Sequence, residues 1–583
     1  MDEGTRHRRS VLGVTTLGVF LTFVNGSIVL ISLPAIFRGL RLDPLEPSNI
    51  DYLLWLLIGF LLVTAVFVVL AGRLGDIFGR GRCFTVGFVV FTFGAVLSSL
   101  VPSMGSAGAL ELIVCRCVTA LGGALMAANS TALIVDAYPA DRRGAAIGIN
   151  QIAAIGGSFL GLVIGGVLAA HSWRSVFWVS IPFGVVGTIW SMRSLHAADS
   201  VVSMSSEDRR DQLRRLDLWG NVTLTVGLVG VLLAMTYGVQ PYGGHVTGWT
   251  SPRVLTYLVG GLVFLAAFVV VERRVADPMF DVALFRIRAF TAGNVAALLC
   301  QLARGGMQFM LIIWLQGIWL PRHGYSFADT PLWAGIYLLP LSVGFLVSGP
   351  ICGKLSDRYG ARWFATGGML IVAASFVLLT ALPADFSYWI FAVIMLVNGI
   401  GSGMFASPNA IAVLNAVPAS QRGVANGMRT TFMNSAQVLS IGLFFTMLVL
   451  GLAGSLSTQL DRGLVAAGVP AAAAHATASG PPVGALFASF LGYDPVRTLM
   501  PPSSYAALSP HQQATVSGHD FFSTAISGAF MNGITVVFTI AAVFCVIAAV
   551  ASYFRGGRYV HDEVMADDVL DAPGVPAAQV VAR

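Results

Sequence analysis

The stretch GKLSDRYGAR, residues 353–362, lies between two long apolar runs. A second copy, GRLGDIFGRGR, occupies residues 72–82, and the two aspartates, Asp76 and Asp357, are 281 positions apart. Each copy contains Gly-x-Leu-x-Asp followed by glycine and arginine, a pattern typical of a tight basic turn between two helices. The pair of copies therefore predicts a duplicated helical architecture, with both turns on the same side.

The composition is that of a polytopic membrane protein. Of the 583 residues, 56% are hydrophobic and only 11% are charged, and the mean hydropathy is +0.79. These values exclude a water-soluble globule. The net charge of +6 does not indicate a nucleic-acid partner, because nearly all basic residues fall in short segments between apolar spans.

Fourteen apolar segments are long enough to cross a bilayer, which takes about 20 helical residues. We place them near residues 11–37, 51–71, 83–102, 108–136, 143–169, 174–192, 216–237, 253–272, 290–320, 330–352, 363–382, 386–412, 423–452 and 524–554. The first span follows a basic segment but has no small-residue cleavage site, which favours a retained span over a signal peptide.

The distribution of basic residues predicts the orientation. With both termini inside, 24 of the 34 Lys and Arg residues lie in cytoplasmic segments, 7 in external segments and 3 within spans. Cytoplasmic loops of membrane proteins carry such an excess of basic residues. We therefore expect both termini in the cytoplasm, the protein in the plasma membrane, and membrane lipid as its partner.

A longer internal repeat divides the chain. VTALGGALMAANSTALIVDAYPADRRGAAIG, from residue 118, aligns without a gap with VNGIGSGMFASPNAIAVLNAVPASQRGVANG, from residue 397, at an offset of 279. We therefore predict an N-terminal half at 1–192, a linker with two inserted spans at 193–289, a C-terminal half at 290–554 and a cytoplasmic tail at 555–583.

Together, the duplicated glycine turn, the repeat and the fourteen spans resemble the major facilitator superfamily, and within it the 14-span drug:proton antiporter branch of bacteria. The resemblance implies an all-α fold of two six-helix halves plus two inserted spans. It also implies a secondary active transporter that exports drugs or other amphipathic small molecules by alternating access, coupled to protons. The alternatives are an exporter of an anionic metabolite or lipid with different coupling, or a transporter-like partner or sensor protein.

In this family the turn aspartate pairs with arginines and closes the cytoplasmic side. The matching residues here are Gly72, Arg73, Asp76, Gly79, Arg80, Gly353, Asp357, Arg358, Gly360 and Arg362. Only the second copy keeps an adjacent Asp-Arg pair, which leaves the first gate either weaker or dependent on Arg80 and Arg82.

The first span departs from the family where it matters for coupling. Asn25 stands where the resemblance places a titratable acid, and an amide does not titrate in the physiological range. Arg116 matches a family arginine that helps couple proton movement, with an ion pair to a residue such as Glu111 as the structural alternative. Glu111 and Asp51, near external span ends, are the remaining coupling candidates.

Arg304, near the centre of its span, is either a substrate or coupling residue with five donors for an anionic group, or half of an interhelical pair. Amides, aromatics and methionines around it suit a large amphipathic ligand, with ordinary packing as the alternative. The cavity candidates are Asn25, Asn150, Gln151, Arg304, Gln308, Trp314, Gln316, Tyr337, Asn398 and Asn434.

The fifth span is rich in glycine, which predicts close helix packing at Gly157, Gly161, Gly165 and Gly166. The resemblance places a Gly-Pro pair here that is associated with antiport. Leu162 occupies the proline position, so the sequence supports the packing more than the antiport.

The segment 453–520 is rich in Ala, Gly, Pro and Ser and is predicted to be external. It fits a disordered insert, which its composition favours, a small cap with short helices around 459–477, or a docking surface for a partner. The six cysteines behave as small hydrophobes. The chain contains no phosphate-binding loop, metal-ligand spacing or nucleophile elbow, so we expect no enzyme activity, no metal and no cofactor.

Overall fold

The computed structural model describes residues 3–42, 47–199, 218–239, 242–243, 247–275, 280–326, 329–418, 421–453, 455–479, 495–518 and 520–555. Most of the polar linker, the middle of the predicted external segment and the acidic tail lie outside these ranges. The regular structure of the described part is helical, as expected for a chain that must satisfy its backbone hydrogen bonds within lipid.

Fourteen long helices, α1–α14, follow the predicted spans. The first eight are α1 Glu3–Leu40, α2 Pro47–Phe78, α3 Arg80–Leu100, α4 Gly105–Ala137, α5 Ala140–His171, α6 Ser175–Trp178 continued by Ser180–Asp199, α7 Leu218–Gly238 and α8 Pro252–Glu272. The last six are α9 Arg288–Trp314, α10 Thr330–Tyr337 continued by Leu339–Tyr359, α11 Ala361–Thr380, α12 Tyr388–Asn415, α13 Arg422–Ala453 and α14 Phe521–Phe554. A π-helical turn, Leu315–Trp319, and the short helix Leu320–Arg322 extend α9, and a 3-10 turn, Val282–Arg286, precedes it.

Thirteen of these helices are long and apolar enough to cross a membrane as they stand, within the described ranges. The count becomes fourteen when α2, whose parts Leu54–Val68 and Leu70–Phe78 meet at 47°, is taken as one bent span. The predicted all-α polytopic fold is confirmed.

The packing repeats between the halves. In the first half α1 packs on α5, α2 on α4, and α3 on both α4 and α6. In the second half α9 packs on α13, α10 on α12, and α11 on both α12 and α14. The same order of partners is what a duplicated six-helix unit requires.

We call the side of the bundle that carries the two arginine-rich turns the basic side, and the opposite side, where α13 ends and α14 begins, the cap side. The halves meet along α2 and α13, and along α5 and α10. On the cap side Gly166 of α5 faces the backbone of Leu332, and Gly335 of α10 faces the carbonyl of Leu162. Added methyl groups would lie 2.6 Å and 3.2 Å from these atoms, so the halves are in close contact there.

The inserted helices α7 and α8 pack on each other, and α7 also contacts both α2 and α13. Its Tyr237 hydroxyl accepts a hydrogen bond from Trp55 Nε1 of α2 at 3.4 Å, while Met235 lies against Gly442 of α13. The inserted pair therefore covers one of the two seams between the halves.

The segment after α13 forms a cap of short helices: Leu456–Ala466, Ala471–Ala478, Pro495–Leu499, Pro502–Ala506 and Pro510–Val516. Leu456, Leu460 and Leu464 form a buried stripe at helical spacing, and Gln459 Oε1 accepts from the Ala529 N–H of α14 at 2.7 Å. The disorder that the composition predicts is wrong for these ranges, because a leucine at every fourth position gives the first helix an apolar face. Partner docking here stays a prediction.

Candidate functional site

The two glycine turns have the same backbone conformation. Gly79 between α2 and α3 has φ 98°, and Gly360 between α10 and α11 has φ 85°. Side chains rarely adopt these angles, so glycine is required at both turns. Each glycine N–H bonds to the carbonyl four residues earlier, which ends one helix as the next begins. Gly72 with Arg73 and Gly353 lie on the last turns of α2 and α10.

The first turn carries an ionic relay. Arg80 contacts Asp76 at 2.9 Å and both oxygens of Asp136, at the end of α4, at 2.8 Å. Of the two arginines that the sequence offered, Arg80 thus supplies this link. The side chains are one-third to one-half exposed, so the relay joins α2, α3 and α4 at a solvated surface.

The second turn lacks this relay. Ala361 and Asn415 stand at the positions that correspond, through the two repeat offsets, to Arg80 and Asp136. Arg362 instead lies over the ring of Tyr553 of α14 at 3.9 Å, and Arg358 is exposed. The side chain of Asp357 is outside the described part. Among the described side chains, the first gate is therefore held by ion pairs, whereas Arg362 of the second gate makes a cation–π contact.

Within the first half the structure brings together Asn25 of α1 and Arg116 of α4. The guanidinium Nη1 lies 3.5 Å from Asn25 Oδ1 and 5.3 Å from the centre of the Phe60 ring of α2. Both polar residues are almost fully buried, and Asn25 Nδ2 and Arg116 Nε have no partner among the described residues. A buried charge held by one long hydrogen bond and a ring face is incompletely solvated by the protein.

The two coupling candidates lie nearer the cap side. Glu111 Oε1 accepts from Ser103 Oγ at 2.7 Å, and its Oε2 is buried without a partner in the described part of the chain. No ion pair joins Glu111 to Arg116 among the described residues, so the alternative that pairs them is wrong. Asp51 lies at the start of α2, where its charge acts on Arg253 of α8.

In the second half Arg304 of α9 is half-buried, and its guanidinium lies 5.8 Å from the centre of the Phe345 ring of α10. It has no carboxylate partner among the residues that the structure describes. One turn earlier, Gln301 bonds to Gln437 of α13. Gln437 was missed from sequence, although it shares the amide chemistry of the chosen candidates.

Other predicted cavity residues have different surroundings. Asn150 Nδ2 donates to Ser130 Oγ at 2.8 Å, and Asn398 Nδ2 donates to Ser375 Oγ at 2.7 Å, so each bonds to a neighbouring helix of its own half. Tyr337 belongs to an aromatic cluster and bonds to the Tyr325 hydroxyl at 2.8 Å.

Trp314 and Gln316 are fully buried, with Gln316 in the π-helical turn and its amide unpartnered in the described region. Gln308 and Asn434 are half-buried, and Gln151 is exposed. The predicted cavity residues thus do not share a single environment.

The glycines of α5 allow α1 to approach closely. A methyl group at Gly157, Gly161 or Gly165 would lie 2.6–2.8 Å from the backbone carbonyl oxygens of Phe20, Val24 and Ile28 or from the Ile31 side chain. Gly166 serves the other contact, to α10 across the seam. These three glycines therefore set the distance between α1, which carries Asn25, and α5, which carries Asn150. No group of three potential metal ligands occurs in the described ranges.

Comparison with known proteins agrees with this architecture. The sequence matches the Major Facilitator Superfamily over residues 15–319 and 297–454. It is 27% identical to the riboflavin transporter RibZ of Clostridioides difficile over 438 residues, which covers 74% of this chain and 87% of that protein. It is 28% identical over 456 residues to the multidrug resistance protein Stp of Mycobacterium tuberculosis, covering 77% of this chain and 78% of Stp.

A third relative is the tetracenomycin C resistance and export protein of Streptomyces glaucescens, 28% identical over 418 residues, with 72% of this chain and 71% of that protein covered. Among solved structures, a peptide transporter POT bound to sulfate has a TM-score of 0.53 at 16% identity and covers 85% of this chain and 96% of its own, which supports the fold alone. Such relatives are those expected of the drug:proton antiporter branch. The chain therefore belongs to the Major Facilitator Superfamily and is a multi-pass secondary transporter of small molecules.

Proposed function

We propose that this protein exports amphipathic small molecules across a bacterial plasma membrane by alternating access, with proton coupling and with both termini in the cytoplasm. The names of the similar proteins Stp and the tetracenomycin C exporter support resistance and export. The close cap-side contact between Gly166 and Leu332 supports a state that is closed on that side.

The observation that carries the proposal is the incompletely solvated group at Asn25, Arg116 and Phe60. Donor atoms without partners beside an aromatic ring, deep in a membrane protein, suit a ligand with an apolar body and a few polar acceptors. Such a ligand binds to the guanidinium and the amide in one conformation of the protein and dissociates from them in the other. Differential binding of this kind is what drives a transport cycle.

Proton coupling needs a carboxylate other than the usual one, because Asn25 does not titrate. We assign this role to Glu111. Its Oε2 is buried without a partner in the described part, so addition of a proton removes an uncompensated negative charge. Asp51 is less suitable because it lies at the start of α2 beside the charge of Arg253.

The test is transport by the purified protein in liposomes under an imposed pH gradient, with a panel of cationic and anionic compounds. We expect the gradient to accelerate flux of wild type and of Asp51→Asn, and to have little effect on Glu111→Gln. Flux that ignores the gradient in wild type contradicts proton coupling, and an unchanged response of Glu111→Gln removes that residue from the mechanism.

A second candidate function is export of anionic amphipathic compounds. It is favoured by the half-buried Arg304, which lies over the Phe345 ring without a carboxylate partner in the described ranges. A guanidinium beside an aromatic ring binds carboxylate, sulfate or phosphate groups attached to apolar bodies. Efflux of cationic dyes that is unaffected by Arg304→Ala, without transport of anionic compounds, contradicts this candidate.

A further inference from the structure

A second polar centre lies within the C-terminal half, near the basic side, and is built around Asn409 of α12. Asn409 Nδ2 donates to the Gly293 carbonyl of α9 at 3.0 Å, and its Oδ1 accepts from Arg555 Nη1, directly after α14, at 2.6 Å. Asn409 is fully buried and Arg555 is 6% exposed. One amide thus ties together three helices about 9 Å from the end of α12, given a rise of about 1.5 Å per residue.

Arg429 of α13 lies at the same level. Helix α13 contacts α9 through Gln437, opposite Gln301, and through Ser440, opposite Gly305. Arg429 is eight residues before Gln437, which keeps it on this stripe and about 12 Å nearer the basic side. Helix α9 runs parallel to α13, so a step of eight residues from Gln301 toward the basic side reaches Gly293. This is the residue whose carbonyl bonds to Asn409.

The neighbouring residues agree with the placement of Arg429 at the same depth in the bundle as Gly293 and Asn409. Met428 of α13, Phe290 of α9 and Val413 of α12 share one buried apolar cluster, so the three helices are packed together next to Arg429. Asn294, beside Gly293, is also buried, and its Oδ1 has no partner among the described residues. We call Asn294, Asn409, Arg429 and Arg555 the basic node.

The positive charge of the basic node is not compensated within the described part of the protein. Arg429 is 6% exposed and makes no hydrogen bond or ion pair there, and Nη2 of Arg555 is likewise buried without a partner. Burial lowers the pKa of Arg555 to about 10, which leaves the group charged near neutral pH. Uncompensated buried guanidinium groups cost several kcal/mol, so a missing counter-ion is the simplest reason for the arrangement.

The first half shows that the fold does not need these charges. Through the 279-residue offset, Asn150 corresponds to Arg429 and Ser130 to Asn409. Asn150 and Ser130 form a direct neutral hydrogen bond of 2.8 Å. In the C-terminal half an arginine, Arg429, stands at the Asn150 position, and Asn409 bonds to a second arginine, Arg555, which points to a ligand specific to this half.

We propose that the basic node binds an anion with phosphate chemistry, either the headgroup of an anionic phospholipid from the adjoining leaflet or free phosphate. Two guanidinium groups offer paired donors for phosphate oxygens. The P–OH of singly protonated free phosphate, or a glycerol hydroxyl of a phosphatidylglycerol headgroup, also offers a donor for Asn294 Oδ1, which a carboxylate does not. Basic pockets between helices near the cytoplasmic face suit phospholipid headgroups. This site is separate from the proposed transport residues and does not rest on the transported substrate.

The experiment measures thermal unfolding of the purified full-length protein. In detergent, inorganic phosphate is titrated against chloride at equal ionic strength. In nanodiscs, phosphatidylcholine alone is compared with phosphatidylcholine plus phosphatidylglycerol. We expect phosphate, phosphatidylglycerol or both to raise the melting temperature by several degrees, and the two arms tell free phosphate from a lipid headgroup. Arg429→Gln should lower the apparent affinity by about tenfold or more.

The matched control is Arg288→Gln, which removes the same charge from an exposed residue at the start of α9. It should respond as wild type does. A wild type stabilised by neither additive overturns the proposal, as does an unchanged response of Arg429→Gln.

Two further variants keep the test decisive. Asn409→Asp supplies a carboxylate to Arg555 and should weaken the response to phosphate even where Arg429→Gln does not fold. If neutralising Asp562, Glu563, Asp567 and Asp568 in the tail strengthens the response to phosphate several-fold, the counter-ion in wild type is the chain's own tail, and the proposal fails.

Discussion

Asn25 and Arg116 meet across α1 and α4, although they are 91 positions apart in sequence. The sequence indicates that each is unusual, an amide in place of an acid and a guanidinium inside a span. Their contact depends on how two helices pack, which periodicity does not specify. With an amide at position 25, the arginine has a long, neutral hydrogen bond and no ion pair among the described residues.

Restoring the acid should change the coupling. In Asn25→Asp the new carboxylate lies within reach of the Arg116 guanidinium and titrates where the amide did not. We expect the pH gradient to stimulate transport of cationic compounds at least several-fold more in this variant than in wild type. The measurement is flux in liposomes with and without the gradient, and Asn25→Gln is the control. Equal stimulation of Asn25→Asp and Asn25→Gln contradicts the prediction.

Among the helices, the contact of α5 with α1 offers a sharp comparison between two adjacent glycines. A methyl group at Gly157 would lie 2.6 Å from the Phe20 carbonyl oxygen, whereas one at Gly156 would meet nothing within 4 Å. The sequence predicted close packing at Gly157, Gly161, Gly165 and Gly166. It did not distinguish Gly166, which packs against α10 across the seam, from the other three.

We therefore expect Gly157→Ala to destabilise the protein by about 1–3 kcal/mol, because α1 and α5 must separate. Gly156→Ala should be neutral or slightly stabilising, since alanine favours helix over glycine by about 1 kcal/mol. Thermal unfolding in detergent measures both. Similar melting temperatures for the two variants would show that the helices do not approach as described.

The cap is held to α14 by Gln459, whose side-chain oxygen accepts from the Ala529 N–H. In Gln459→Leu this acceptor is lost, and we expect the docked cap to lose about 1 kcal/mol. Limited proteolysis of the cap should then be several-fold faster. Thr458→Val, at an exposed neighbouring position, serves as the control. A cleavage rate that is equal in both variants argues against the contact.

At the scale of the whole molecule, the two gates should contribute unequally to the conformational equilibrium. Asp136→Asn removes the carboxylate that accepts two bonds from Arg80. Because the relay is half-exposed, we expect a loss of at most about 1 kcal/mol, which shifts the balance between the two access states by up to about fivefold. Because the relay belongs to the gate on the basic side, the shift should favour opening on that side and closure on the cap side.

Distances between spin labels on the cap-side ends of α5 and α10 measure this shift. The control is Asn415→Gln at the corresponding position of the second half, where no relay exists. An unchanged distance distribution in Asp136→Asn means that the relay does not affect access.

The orientation is also testable on the intact molecule. Basic residues predict that both termini lie in the cytoplasm and that the cap is external. A cysteine at Ala577 should resist an impermeant maleimide applied to intact cells, and one at Ala507 in the cap should react. Labelling of Ala577→Cys from outside, together with protection of Ala507→Cys, would show that the orientation is opposite to the predicted one.

The fourteen spans, the two glycine turns and the duplication can be read from the sequence, because hydrophobic length, the placement of glycine and repeat spacing require no knowledge of how helices pack. Which charges find partners depends on the packing of the helices. Arg80 meets Asp136, and Arg116 meets Asn25 rather than Glu111, because helices far apart in sequence are brought together by packing. For the same physical reason, the leucine stripe of the cap became meaningful only once α14 supplied a surface to cover it.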